Sequence, residues 1–176
     1  MNRAYTLPML VSILLLTACG ESNTESAQAV LETLKPCELL TAEDIQQVTG
    51  YAMKPGVELH KVNCSFESVE TKGQFEMPKY RWFVMHVHQP ATVDQIVKSD
   101  RDGRQEILGN DYHATPVSGI GDQAIWEQFS GVTQLTVYVA DGSNATDTIS
   151  IQPDFDGEEQ ALDQAKALAL RALQRL

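Results

Sequence analysis

Basic residues are scarce in this chain, where 13 Lys and Arg stand against 24 Asp and Glu among 176 residues, for a formal net charge of −11. Because a net-negative surface repels phosphate backbones, this charge argues against a nucleic-acid-binding protein. The chain also lacks an apolar run of about 20 residues, which excludes a polytopic membrane protein. Its length and its 43% hydrophobic and 21% charged residues are typical of one globular domain and exclude a multidomain enzyme.

Catalytic signatures are missing as well. The serines lack a Gly-x-Ser-x-Gly elbow, and the sequence contains no His-Glu-x-x-His motif and no Walker loop. Two Asp-x-Asp-Gly stretches resemble part of a calcium loop. At 100–103 both anchoring acids are absent, and at 154–157 the first position is uncharged. We therefore predict a non-enzymatic protein that needs no cofactor.

The N-terminus carries the features of an export signal. Arg3 precedes the apolar run 10–16, which is too short to span a bilayer and fits the central region of a secretory signal peptide. The sequence Leu16-Thr17-Ala18-Cys19 resembles the lipobox of bacterial lipoproteins. The resemblance implies cleavage before Cys19, a diacylglyceryl group on its sulfur and acylation of the new N-terminus. A plain signal peptide with a chance cysteine is the alternative.

Several acyl chains on Cys19 would anchor the protein stably to a membrane. Because Gly20 follows Cys19, the resemblance favours the outer membrane, facing the periplasm, in a cell with two membranes. Residues 20–28 are small and polar, so we interpret residues 19–28 as the acylated cysteine and a flexible tether. The signal peptide then occupies residues 1–18, and the globular domain occupies residues 29–176.

Two cysteines remain for the domain, Cys37 and Cys64. An exported compartment permits disulfides, and an even number of cysteines predicts one bridge between them. The bridge would close a loop of about 27 residues, worth about 3 kcal/mol in the chain-entropy model. The alternative is a thiolate metal site, although neither cysteine has a Cys-x-x-Cys partner.

The pattern of apolar residues and turn residues predicts alternating helices and strands. Helices are predicted at 29–35, from Thr41 to Gly50, at 92–107 and at 158–176. Strands are predicted at 59–67, 80–87, 112–117, 123–129, 134–140 and 147–152, with a polar loop at 70–79. The short turns between the last three strands favour antiparallel hairpins. This order predicts an α+β fold, an antiparallel sheet packed by helices.

Three stretches resemble the envelope lipoproteins grouped as DUF3558: Pro-Cys-Glu-Leu-Leu-Thr at 36–41, Cys-Ser-Phe at 64–66 and Gly-Ile-Gly-Asp-Gln-Ala at 119–124. The second stretch departs from the Cys-Thr-Trp that is usual in that family. The resemblance covers most of residues 30–176 and implies an envelope location. Related exported domains are similar to the PsbP-like α/β sandwich, so the resemblance also implies that fold. The family has no established activity.

His86 and His88 are the sharpest candidates for metal chemistry. They are two residues apart in a predicted strand and therefore point to one face, where they could share a metal with His60 or His113 as a third ligand. The alternation places three apolar residues on the opposite face: Phe83, Met85 and Val87. If those three residues form the core, both histidines face solvent. We predict that Trp82 and Trp126 pack in the core or on a sheet face and do not form a platform for a ligand.

These observations lead to one preferred function and two alternatives. The preferred function is a membrane-anchored envelope lipoprotein with a non-enzymatic binding or structural role. Its partners are the membrane, through the lipid anchor, and an envelope protein. A small-molecule or lipid carrier is the first alternative, and it requires a deep apolar pocket between sheet and helices. Metal binding through His86 and His88 is the second.

Overall fold

The computed structural model describes residues 35–142, 144–154 and 158–176. The predicted signal peptide, Cys19, the tether and most of the predicted helix at 29–35 lie outside the described residues. The described helices are α1 Pro36–Leu39, α2 Ala42–Thr49, α3 Val93–Leu108 and α4 Glu158–Leu173, and a 3-10 turn spans Gly109–Asp111. The strands are β1 Val57–Leu59, β2 Asn63–Glu67, β3 Thr71–Lys72, β4 Met77–Pro78, β5 Arg81–Gln89, β6 His113–Pro116, β7 Gln123–Phe129, β8 Val132–Ala140 and β9 Thr146–Asp154.

Seven of these strands form one antiparallel sheet in the order β1-β2-β5-β9-β8-β7-β6. Strands β7, β8 and β9 follow one another as hairpins, as the short turns between them predict. The predicted polar loop at 70–79 contains the small ladder β3–β4, which projects beyond β2 and β5. The predicted α+β class with an antiparallel sheet is confirmed.

One face of the sheet, which we call the inner face, packs against α1, α2 and α4. It is lined by alternate residues of the central strands that are almost completely buried: Cys64, Phe66, Trp82, Val84, Leu135, Val137, Ile149 and Ile151. Leu39 of α1, Leu40 of the following link and Ile45 of α2 enter this core. Burying such an aliphatic side chain contributes about 1.5–3 kcal/mol relative to leaving it exposed. Trp82 and Trp126 both lie in the core, as predicted.

Helix α4 supplies the largest part of the cover over the inner face. Five of its residues turn toward the core and are at most 3% exposed: Ala161, Ala165, Leu168, Ala169 and Ala172. Four of the five are alanines, which allow a helix to approach the sheet closely. The predicted helix at 158–176 is confirmed, although regular structure ends at Leu173.

Local signals position the other helices. At the start of α2, the Asp44 backbone N–H donates to Thr41 Oγ1 at 3.2 Å and the Thr41 N–H donates to Asp44 Oδ2 at 2.8 Å, which is a capping box. Gly50 ends α2 with a φ of 80°.

Between β6 and β7, Gly121 has a φ of 60°, and an added Cβ would lie 2.6 Å from Val137 Cγ1, so only glycine fits there.

A cluster of charged groups ties α2 to the end of α4. Arg175 donates from Nη1 to Asp44 Oδ2 at 2.7 Å and from Nη2 to Oδ1 at 3.1 Å, and it also reaches the Leu39 carbonyl oxygen at 2.7 Å. Arg171 donates to Asp44 Oδ1 at 3.2 Å. The Arg175 guanidinium holds the pKa of Asp44 far below its ordinary value, against the opposing effect of burial. A single carboxylate therefore takes part in the cap of α2 and holds the end of α4 against it.

The predicted bridge between Cys37 and Cys64 is present and joins α1 to β2 with a Cα–Cα distance of 5.1 Å. Cys64 is completely buried on the inner face, and Gly56 lies against it. An added Cβ on Gly56 would approach Cys64 Sγ to 2.6 Å, so the chain beside the bridge has no room for a side chain.

We expect the Cys37→Ala/Cys64→Ala double variant to lose about 3 kcal/mol of unfolding free energy, because the unfolded chain regains the entropy of a 27-residue loop. Urea unfolding of wild type and double variant, each with and without reductant, measures this loss. Reductant should destabilise wild type only. Free thiols at both positions in the native, unreduced protein would contradict the bridge.

We expect Asp44→Asn to lower the unfolding free energy at pH 7 by about 2–4 kcal/mol, because it removes the partner of two arginines and weakens a cap. Since the pKa of Asp44 is lower in the folded state, its contribution is complete above the ordinary value of 3.8 and is lost as pH falls below it. The two proteins should therefore converge in strong acid. Glu43→Gln, an exposed neighbour, is the control and should have little effect at any pH.

Candidate functional site

The segment between α2 and α3, residues 50–92, forms one half of the sheet and carries most of the exposed apolar side chains. It contains β1, β2 and β5 and the β3–β4 hairpin. Backbone hydrogen bonds make this half continuous, since Ser68 N–H donates to the Tyr80 carbonyl at 2.9 Å and Lys54 N–H donates to the Glu67 carbonyl at 2.8 Å. We call this segment the β1–β5 half.

Large apolar side chains are exposed on the β1–β5 half far more often than elsewhere. Among the described residues nine such side chains are exposed, and six belong to this half: Val57, Leu59, Val62, Val69, Phe75 and Met77. The β1–β5 half comprises about a third of the described residues, so an even distribution would place about three of the nine exposed side chains there. Phe75, in the turn of the β3–β4 hairpin, is 82% exposed. Concentrated exposed apolar surface is typical of an interaction site.

A shallow groove of about 330 Å³ lies on the face of this half that points away from the core. Its floor and apolar wall are formed by Pro55, Val57, Leu59 and Phe83. Its charged rim consists of Lys54, Glu67 and Arg81. Glu67 accepts from Arg81 at 3.0 Å and lies 3.6 Å from Lys54 Nζ, so one carboxylate serves two cations. The groove has the size of a small-ligand site and is open to solvent.

The structure places His86 and His88 on the inner face. The expectation that both face solvent assumed that Phe83, Met85 and Val87 form the core, and this assumption is wrong. The core lies on the other side, because Trp82 and Val84 are completely buried while those three residues are only partly buried. His86 is therefore buried, and His88 is half-buried beside it.

Both histidines bind one carboxylate on the neighbouring strand. His86 Nε2 lies 2.9 Å and His88 Nδ1 lies 3.1 Å from Asp147 Oδ1. Burial raises the pKa of Asp147, but the hydrogen bonds from His86 and His88 outweigh it and hold that pKa below its ordinary value. The second ring nitrogen of His88, Nε2, lies 3.9 Å from Asp141 Oδ2. This His–Asp–His cluster joins β5 to β9.

The predicted third metal ligands do not join this cluster. His60 lies in the turn between β1 and β2, and His113 lies on β6 at the far edge of the sheet. In the part of the chain that the structure describes, no group of three or more His, Cys, Asp or Glu is arranged to hold a metal ion. Residues 100–103, part of the first calcium-like stretch, lie within α3, and the second stretch runs into residues outside the described set.

A buried polar cluster lies beneath α3 on the other face of the sheet. The Glu127 carboxylate is 1% exposed and accepts from the Tyr112 hydroxyl at 2.7 Å, Gln134 Nε2 at 2.8 Å and Thr136 Oγ1 at 2.7 Å. Arg104 of α3 lies 3.3 Å from it and over the Phe129 ring. Both carboxylate oxygens are therefore occupied, and the group anchors α3 to the sheet.

Two further groups extend this cluster along α3. The Tyr138 hydroxyl donates to Asp100 Oδ2 at 3.2 Å. Burial raises the pKa of Asp100 and, together with the nearby carboxylates, raises the pKa of Tyr112 and Tyr138. The apolar contact of α3 with the sheet is small and involves Val93, Ile96, Ile125 and Tyr138. Polar contacts thus hold the second half of the helix.

Sequence reasoning missed both Glu127 and the β1–β5 half. Glu127, Thr136 and Ser150 alternate with apolar residues, a pattern that is typical of a solvent-facing side of a sheet. The strands therefore give no indication that α3 covers these residues. The exposed Phe75 was hidden in a segment interpreted as a polar loop. A signal existed in the hairpin, where Phe75 and Met77 interrupt an otherwise polar run.

Comparisons with known proteins contribute no relative. No family model, no curated protein and no solved structure matches the chain. No described helix is both long and apolar enough to cross a bilayer.

We expect Asp147→Asn to destabilise the protein at pH 7 by about 1–3 kcal/mol, because two imidazoles lose a charged acceptor. The folded-state pKa of Asp147 is lowered, so its stabilising contribution is complete above the ordinary carboxyl pKa and disappears as pH falls through the lowered value. Denaturant unfolding between pH 7 and pH 2 measures the effect. Asp163→Asn, on the exposed side of α4, is the matched control. A deficit that persists unchanged at pH 2 would contradict this role.

Proposed function

We propose that this chain is a membrane-anchored envelope lipoprotein whose folded domain has a non-enzymatic binding role. The anchor is Cys19 of the lipobox-like sequence, and residues 20–28 connect it to the domain. The bridge between Cys37 and Cys64 supports an exported protein, because disulfides persist in oxidising compartments. In a cell with two membranes, the proposed location is the outer membrane, facing the periplasm.

The observation that carries the binding role is the β1–β5 half. A folded domain gains stability by burying apolar side chains, yet six large ones are exposed within this segment, and two of them, Val57 and Leu59, line an open apolar groove. The buried ionisable groups, in contrast, are committed to structure. Glu127 holds α3, and Asp147 holds two histidines. This division favours a protein that binds through its surface.

The resemblance to the DUF3558 lipoproteins supports the same proposal. The three stretches that carry it occupy structural positions: the bridge and the start of α2, the bridged strand β2, and the turn before β7. Helices on both faces of an antiparallel sheet are compatible with a PsbP-like sandwich, which we propose as the fold family.

A small-molecule or lipid carrier is the second candidate, favoured by the groove. The space between the inner face and its helices is filled by core side chains, so a ligand would bind on the opposite face. A groove of about 330 Å³ lies at the lower end of the range of small-ligand sites. Native mass spectrometry of the purified protein would detect a ligand that remains bound.

We expect Cys19→Ala to release the protein from the membrane, because the residue that would carry the acyl chains is removed. Fractionation of cells that express wild type or the variant measures release, and intact-mass analysis measures acylation of wild type. Cys64→Ala, which removes a different cysteine, is the control and should stay in the membrane fraction. A wild-type protein without fatty acids, or an unprocessed N-terminus, would overturn the proposed anchor.

A further inference from the structure

We infer that the β1–β5 half is the surface with which the anchored domain docks on a lipid bilayer. This inference rests on the proposed lipid anchor and names the partner of the binding surface. Two features of residues 50–92 carry it: exposed apolar side chains and local charge.

The apolar side chains have the distribution that an interfacial contact needs. Phe75 and Met77 project on the β3–β4 hairpin, which extends beyond the main sheet, and Val69 lies at its base. Val57 and Leu59 lie on the edge strand beside the groove. Each of these side chains would exchange water for the headgroup–acyl boundary, a transfer that is favourable for apolar surface. None of them contributes to the two buried clusters of the domain.

The charge of this segment differs from that of the rest of the chain. Its five basic residues are Lys54, Lys61, Lys72, Lys79 and Arg81, and its four acidic residues are Glu58, Glu67, Glu70 and Glu76. The segment therefore carries +1, and the other residues carry −12 of the total of −11. An anionic surface repels the acidic remainder but not this half. Repulsion of the acidic remainder therefore favours orientations in which this half faces an anionic bilayer.

The described chain begins beside the same half of the sheet, on its inner face. The described chain begins at Lys35, immediately before α1, and the bridge from Cys37 attaches α1 to β2. Cys19 precedes Lys35 by 16 residues, so an extended tether reaches at most about 55 Å. This length permits every orientation of the domain, and the surface chemistry must select one. Tethering raises the effective concentration of the domain at the bilayer, so weak contacts suffice.

A matched pair of tryptophan reporters tests the docking. Phe75 and Ile107 are 82% and 83% exposed, and they lie on the β3–β4 hairpin and on α3. In vesicles of brominated phosphatidylcholine and an anionic phospholipid, we expect Phe75→Trp to lose fluorescence and to shift to the blue, while Ile107→Trp is unaffected. The acylated full-length protein is used, and the wild-type signal of Trp82 and Trp126 is subtracted. Both of those tryptophans are buried.

The outcomes separate docking from anchoring. Intact-mass analysis first shows whether the protein is acylated. An unacylated protein would contradict the proposed function, because that function includes the lipid anchor at Cys19. An acylated protein that binds vesicles but leaves Phe75→Trp unquenched, or quenches both reporters equally, overturns the docking and leaves the anchor intact. A photo-crosslinker at position 75 that captures a protein in the envelope and no lipid would also overturn it. Adding Met77→Asp to the Phe75→Trp reporter should reduce its quenching.

Discussion

The burial of the inner face of the sheet under α4 is the interaction on which the rest of the structure depends. Trp82 and Val84 on β5 and Ile149 and Ile151 on the neighbouring strand β9 are completely buried. Their packing selects the strand register, because a shift by one residue would turn all of them to the opposite face. The same register brings His86 and His88 to Asp147, so the histidine cluster is a consequence of how the tryptophan packs.

Covalent and ionic contacts then hold the helices on this face. The bridge from Cys37 fixes α1, and Asp44 joins α2 to the two arginines at the end of α4. The bridge ends within the core at Cys64, whereas the Asp44 contacts lie at its margin, where hydrophobic burial alone leaves helix ends free. Because α1 has only four residues, it lacks the length to be a stable helix by itself, and the bridge and Leu39 provide its stability.

Much of this architecture could be predicted from the sequence. Strong periodicity and clear caps placed α2, α3, α4 and the three consecutive hairpin strands, and cysteine counting placed the bridge. Which face of β5 points to the core was harder to predict. Alternation alone allows either of two apolar sets: Phe83, Met85 and Val87, or Trp82 and Val84. The bridge from Cys64 to Cys37 decides the matter, because Cys64 lies opposite Val84 in the ladder.

The candidate site was the least predictable part. A binding surface depends on which apolar side chains remain exposed after folding, and a sequence does not show where helices are placed on a sheet. Here α3 covers the far half of the outer face through Glu127 and Arg104, whereas Val57, Leu59 and the hairpin stay exposed at the other end. Because these side chains stay exposed, the fold lacks the stability that their burial would provide. This is consistent with a surface that becomes buried only when the domain binds a partner. The exposed apolar side chains and the segment of net charge +1 lie on one half of the sheet, and both favour the proposed contact with a lipid bilayer.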